Sequence, residues 1–222
     1  MSTTPSAPSR EREIARAVGA RANALQQAME SGSTGVRSSA RADLARLRRL
    51  RPGDLGGDTE SWALTMDVLP SDLVGRADEA NPAERAAQSA LVLFAIHAQS
   101  ASGTVHVRNR NLGTAIRQLA EARDADDPTK GPVMARFQTL GRAQTYGQLI
   151  THLRGIIQLL RTEGIPLDYG MLAADLYRWQ QLSGAPVVRL RWGRGFHRIS
   201  FSDAPKTATT DTPDESETTN VR

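Results

Sequence analysis

The sequence predicts an all-α protein, a compact helical bundle set between two polar tails. Three observations carry that prediction. From residue 10 to 198 the apolar residues recur at three- and four-residue spacings, the period of a helix with one buried face. Helix punctuation stands where those stripes begin and end: Asn81-Pro82 reads as an N-cap followed by the first helical residue, and Pro52-Gly53 closes the run before it. Only one stretch, Val188-Leu190-Trp192 alternating with Arg189 and Arg191, has the period of a strand. A single strand would find no partner in this chain, so residues 186–198 are assigned to a helix as well.

The elements follow in order. Ile14, Ala17, Val18, Leu25 and Met29 define a first helix, which the Gly/Ser breaker Ser31 to Gly35 ends. Ala40, Leu44 and Leu47 stripe a second, arginine-rich helix. Trp62, Leu64, Met66, Val68 and Leu69 form a short apolar segment before Pro70. The helix from Asn81 to about Ser100 is apolar almost all round, through Ala86, Ala90, Leu91, Leu93, Phe94 and Ile96, and is expected to be the central core helix. Leu112, Ile116 and Leu119 build the next, followed by a polar loop from Asp124 to Gly131, a segment from Val133 to Leu140, and a long amphipathic helix striped by Leu149, Leu153, Ile156 and Leu160. Asp168 is placed to cap a further helix with Leu172, Leu176 and Trp179 on its inner face. These elements divide into an N-terminal helical part, 10–125, and a C-terminal one, 126–202. Residues 1–9 and the acidic 203–222 hold almost no large apolar side chains, and both are expected to be disordered tails.

Charge carries more information than fold class does. Of the 28 basic side chains, 26 are arginine. Residues 10–53 hold ten basic against four acidic groups and residues 85–202 fifteen against seven, while 54–84 between them hold one arginine against eight acids. Arginine in place of lysine also follows from GC-rich coding, and a charged face is often merely solvated. Segregation into two basic blocks around an acidic one, however, suits a polyanion-binding surface, because a guanidinium fork matches phosphate oxygens and stays charged. In the second helix, Arg41 and Arg48 project together, as do Arg46 and Arg49. With Arg108, Arg110, Arg117, Arg136, Arg142 and Arg154 these form the candidate nucleic-acid-binding set, expected to read the sugar-phosphate backbone and not the base sequence.

Other chemistries find little support. The chain has no cysteine, so disulfides, zinc-thiolate sites and cysteine catalysis are excluded. His97, His106, His152 and His197 show no metal-ligand spacing, and His97 on the apolar helix reads as a core histidine. Asp124, Asp126 and Asp127 lack the glycine and closing glutamate of a calcium loop and read as a polar turn. No P-loop, dinucleotide fingerprint or nucleophile elbow occurs, so neither catalysis nor a cofactor is expected. The absence of an apolar run of about 20 residues and of a signal peptide points to a cytoplasmic protein with no membrane partner.

The C-terminal half carries more than generic features. Ala135-Arg136-Phe137-Gln138-Thr139-Leu140, then His152-Leu153-Arg154-Gly155-Ile156-Ile157-Gln158-Leu159-Leu160-Arg161, then Ile165 through Trp179, and last Arg191-Trp192-Gly193-Arg194-Gly195-Phe196 closely resemble, in order and spacing, the CasB family. That family is the small subunit of the type I-E CRISPR surveillance complex, Cascade. Leu112-Gly113-Thr114-Ala115-Ile116 and Leu44 to Arg49 fit as well, so the likeness covers roughly residues 10–198. One departure is Gly193-Arg194-Gly195, where the family more often has Ala-Arg-Asp and where two glycines weaken a helix. The resemblance implies an all-α, non-enzymatic protein paired head-to-tail with a second copy of itself along the crRNA-bound backbone. It implies partnership with the backbone and large subunits, crRNA and target DNA, and a basic surface that holds the target and displaced strands of the R-loop. By position in the motifs, Arg48, Arg49, Arg108, Arg110, Arg117, Arg136, Arg142 and Arg154 would supply the phosphate contacts. The competing reading is a structural helical adaptor whose arginines meet acidic protein surfaces; separately, for Arg136 and Arg154 the alternative to phosphate is a structural salt bridge to Asp168 or Asp175.

Overall fold

The computed structural model describes residues 9–55, 59–101, 103–124 and 126–198. The expected tails, 203–222 and all of 1–9 except Ser9, lie outside these residues. Within them the chain is helical and contains no strand, as the periodicities predict. The helices are α1 (Arg10–Ser31), α2 (Thr34–Arg49), α3 (Thr59–Met66), α4 (Pro82–His97), α5 (Leu112–Arg123), α6 (Pro132–Gly141), α7 (Tyr146–Thr162), α8 (Tyr169–Trp179) and α9 (Gly184–His197).

Helix α4 is the axis of the molecule. Every residue from Ala83 to His97 except Arg85 is buried, which is why its sequence shows no polar face. It packs against α1, α2, α3, α7 and α8. Its start is fixed by a capping box: the Asn81 side chain accepts from Ala83 N at 2.8 Å and Glu84 N at 3.0 Å, and Glu84 accepts in return from Asn81 N at 2.7 Å. The other oxygen of Glu84 accepts from Gly75 N at 2.8 Å, which ties the acidic connection to the helix and satisfies a buried carboxylate. Gln88, fully buried, reaches the turn after α2, accepting from Gly53 N at 2.6 Å and donating to Arg51 O at 3.0 Å. Gly53 sits there with φ 85°, a conformation that favours glycine.

Around this axis α1 lies on α8 and on α2, while α5 packs against α6, α7 and α9. The apolar side chains form one continuous cluster through both groups. The breaker after α1 is shorter than the sequence suggests. Only Gly32 and Ser33 leave the helical conformation, and Gly35 is already inside α2. Residues 186–197 are helical, as assigned, and Arg198 caps the helix: α9 buries Val188, Trp192, Gly195 and Phe196 along one stripe. The two glycines that threaten this helix differ in role. A Cβ on Gly193 would meet nothing within 4 Å, whereas one on Gly195 would stand 2.1 Å from the Asn111 side chain. On the opposing helix a Cβ on Gly113 would collide with the Trp192 carbonyl. Glycines on both helices therefore let α5 and α9 approach nearly backbone to backbone.

Candidate nucleic-acid interface

The predicted arginines fall on two separate helix groups. Helix α2 buries Ala40, Leu44 and Leu47, which leaves Arg41, Arg46 and Arg49 exposed and Arg48 half-buried. Arg46 approaches Asp43 at 3.6 Å, and Asp43 in turn accepts from Arg21 of α1 at 2.9 Å. Arg41, Arg48 and Arg49 form no ion pair among the described residues. Since α2 packs on α1, α3 and α4, its arginines share no helix group with those of α5, α6 and α7.

The second set begins in the loop before α5. There Val107 N donates to Leu167 O at 3.2 Å and Leu167 N to Val105 O at 3.0 Å, so the loop is laced to the segment before α8. Asp168 completes the lacing: its carboxylate accepts from Asn109 N at 2.8 Å and, as the predicted cap of α8, from Met171 N at 3.0 Å. This loop holds Arg108 exposed and unpaired among the described residues. Arg110 donates to Gln118 at 3.0 Å. Arg117 pairs with Glu121 at 2.6 Å, and its guanidinium lies 5.7 Å from the Phe196 ring centroid. Arg110 and Arg117 are therefore partly engaged within the chain and Arg108 is not.

Arg136, Arg142 and Arg154 are exposed and form no ion pair among the described residues. Arg136 lines a groove of about 270 Å³ between α6 and α7 together with Thr139, Thr151, His152 and Gly155. The Thr139 and Thr151 hydroxyls donate to Ala135 O and Gly147 O, each at 2.9 Å, so the Arg136 guanidinium and the His152 imidazole are the side chains this groove offers as donors to phosphate oxygens. The alternative partners of Arg136 and Arg154 are otherwise engaged. Asp168 serves backbone N–H groups as described, and Asp175, 1% exposed, accepts from Arg191 and from Trp192 Nε1.

Sequence reasoning left the arginines of α9 outside the candidate set. Arg189 donates to Ala143 O at 2.7 Å and lies 4.9 Å from the Trp179 ring centroid. Arg191 pairs with buried Asp175 and sits 3.7 Å from Glu11 of α1. Arg194 and Arg198 are exposed with no ion pair among the described residues. The period-two alternation of residues 188–192 hides the fact that 191, 194 and 198 share one helical face.

The histidines behave as core groups where they are buried. His97 Nδ1 lies 2.7 Å from the Tyr169 hydroxyl, and burial lowers the imidazole to about 4, so it is neutral near pH 7. Asp127 accepts from Thr129 N at 2.9 Å and pairs with Lys130 at 2.8 Å, the polar turn that its sequence suggests. No group of acidic and imidazole side chains able to hold a metal occurs among the described residues, and no helix of these residues is long and apolar enough to cross a membrane.

Fold and surface together define a class: an all-α protein built on one apolar helix, displaying on its surface guanidinium groups that form no ion pair among the described residues. Residues 43–197 match the family model described as CRISPR-associated protein Cse2, and the chain belongs to that family. It is also similar to the crystal structure of CasB from Thermobifida fusca, at 36% identity and a TM-score of 0.64, covering 83% of this chain and 98% of that one. CasB from M. ruber is 27% identical with a TM-score of 0.54, covering 79% and 91% of the two chains. A Cse2-family protein from Thermus thermophilus shares the fold at 20% identity and a TM-score of 0.54, covering 81% and 96%. No curated protein matches. The resemblance to the CasB family of the type I-E Cascade, read from motifs in the C-terminal half, is thus borne out.

Proposed function

We propose that this chain is a non-catalytic nucleic-acid-binding subunit of the crRNA-guided type I-E Cascade, acting in antiviral defense in the cytoplasm. In this reading it holds the target strand and the displaced strand of the R-loop by sequence-independent backbone contacts. It sits with the backbone and large subunits, paired head-to-tail with a second copy. One observation carries the proposal: in a Cse2-family chain, Arg41, Arg48, Arg49, Arg108, Arg136, Arg142 and Arg154 reach the surface with no carboxylate among the described residues to neutralise them. Unneutralised guanidinium groups held in place by the fold suit the oxygens of a phosphate backbone. The energetics give such contacts leverage, because exchanging a DNA duplex for an RNA–DNA heteroduplex is nearly balanced and small backbone terms tip it.

The test is the triple variant Arg48→Glu, Arg49→Glu, Arg154→Glu, measured for nucleic-acid binding across a salt series and for assembly into Cascade. The expected outcome is lost binding with assembly intact. In the unmodified chain, affinity is expected to fall with salt by a slope of about −0.7 per phosphate contact on single strands. Lost assembly with nucleic-acid binding retained, or binding that ignores salt, overturns the proposal; the former is what the helical-adaptor reading predicts.

A further inference from the structure

A groove of about 350 Å³ runs between the start of α5 and the outer face of α9, apart from the arginines of the candidate set. Its size is at the lower end of small-molecule sites, room for one moiety and no more. The groove has two chemically distinct ends. Val187 and Leu190, 42% and 53% exposed, form an apolar wall that none of the described residues covers. One turn further along the helix, Arg194 and Arg198 line the same groove. Both are exposed and unpaired among the described residues, and at a spacing of four they face the same way. Arg191 lies beneath them, its charge already met by Asp175 and Glu11, so it shapes the groove without adding a free cation. Asn111 and Thr114 form the opposite rim. Gly195 supplies a floor of bare backbone, held free of a side chain by its contact with Asn111.

We propose that this groove is a subsite for one nucleotide of a single strand, with its phosphate on Arg194 and Arg198 and its base laid against Leu190 and Val187. A guanidinium pair alone would serve duplex and single strand alike, since both present phosphates. The apolar wall makes the difference: only an unpaired, unstacked base offers a free face to it. This inference rests on the proposal that the chain binds nucleic acid, and it names the form of nucleic acid taken at this place.

The test uses the full-length protein and three labelled probes: a single-stranded oligonucleotide, the same strand with abasic sites, and a duplex. The double variant Arg194→Gln, Arg198→Gln is expected to bind the single strand about tenfold more weakly, with a salt slope shallower by about 0.7 from the one lost phosphate contact. Leu190→Ser is expected to weaken the intact single strand about threefold and leave the abasic strand unchanged. Unchanged melting temperatures show that these exposed substitutions keep the fold. The subsite alone is overturned if the wild-type chain binds and loses binding through the Arg48, Arg49, Arg154 triple variant while the α9 variants bind like wild type. An equal effect of Leu190→Ser on abasic and intact strands overturns it as well. If the wild-type chain binds no strand at low salt, the subsite and the proposed function fall together.

Discussion

Helices α2 and α9 are both short, both rich in arginine and both end in a basic turn, yet they use their charges in opposite directions. In α2 an apolar stripe does the anchoring, and Arg41, Arg48 and Arg49 are left without ion-pair partners among the described residues. In α9 the arginines themselves anchor. Arg189 reaches the Ala143 carbonyl and lies on Trp179, and Arg191 enters a pair with the buried carboxylate of Asp175. Only Arg194 and Arg198, exposed and without ion pairs among the described residues, resemble the arginines of α2. Arginine content on a helix therefore says nothing about phosphate binding until the carboxylates of the surrounding helices have been accounted for.

The comparison breaks or sharpens most clearly at Arg191. Arg191→Ala leaves Asp175 buried without its counter-charge and is expected to cost about 3 kcal/mol in chemical denaturation. Arg41→Ala in α2 is expected to change stability by no more than about 0.5 kcal/mol. Equal effects would dissolve the distinction between anchoring and displayed arginines. A pH series tests the same pair. Burial, opposed by Arg191, raises the Asp175 carboxyl from 3.8 to about 6. Between those values the folded chain holds a proton that the unfolded chain has released, so this group favours folding fully below about pH 4 and loses that contribution as pH rises through 6. The cost of Arg191→Ala is accordingly expected to shrink between about pH 7 and about pH 5, because a protonated Asp175 needs no partner.

The glycines give a smaller effect with a change of sign. Gly195→Ala would drive a methyl into Asn111 and is expected to cost about 2 kcal/mol, whereas Gly193→Ala meets open space and is expected to gain about 0.5–1 kcal/mol. Thermal melts of the two variants, expected to shift in opposite directions, check both. Smallest in stability is Arg41→Gln with Arg49→Gln. It is expected to leave the melting temperature in place while making the single-strand salt slope shallower by about 1.4, read from binding titrations.

The sequence exposed what depends on neighbours along the chain. The Asn81 cap, the Asp168 cap and the stripes of α4 and α7 are all set within one or two helical turns, and each appears where periodicity and cap chemistry put it. Period failed as a guide where helix and strand share a short pattern. Across residues 188–192 the alternation is real, but Leu190 is exposed and the buried stripe continues through Trp192 to Phe196. The candidate site was legible as a list of residue types and not as a surface. That Arg117 is paired and Arg108 free depends on Glu121 and on a loop laced to residues far along the chain. The engagement of Asp175 by α9 could not be read from the sequence either, because only the packing of α8 on α9 brings the two together.

The close seat of α9 on α5 has a consequence for how the molecule comes into being. Helix α1 finds its main partner in α8, and α5 finds one in α9, so each must wait for a segment made much later. Vectorial synthesis thus produces the exposed stripes of α1 and α5 well before their covers exist. Such long-range closures slow folding relative to a bundle whose helices meet their neighbours in order. During that interval the nascent protein is a set of amphipathic helices with open apolar faces, and the arrival of the final helix, with Gly113 and Gly195 admitting it, turns that set into a closed molecule.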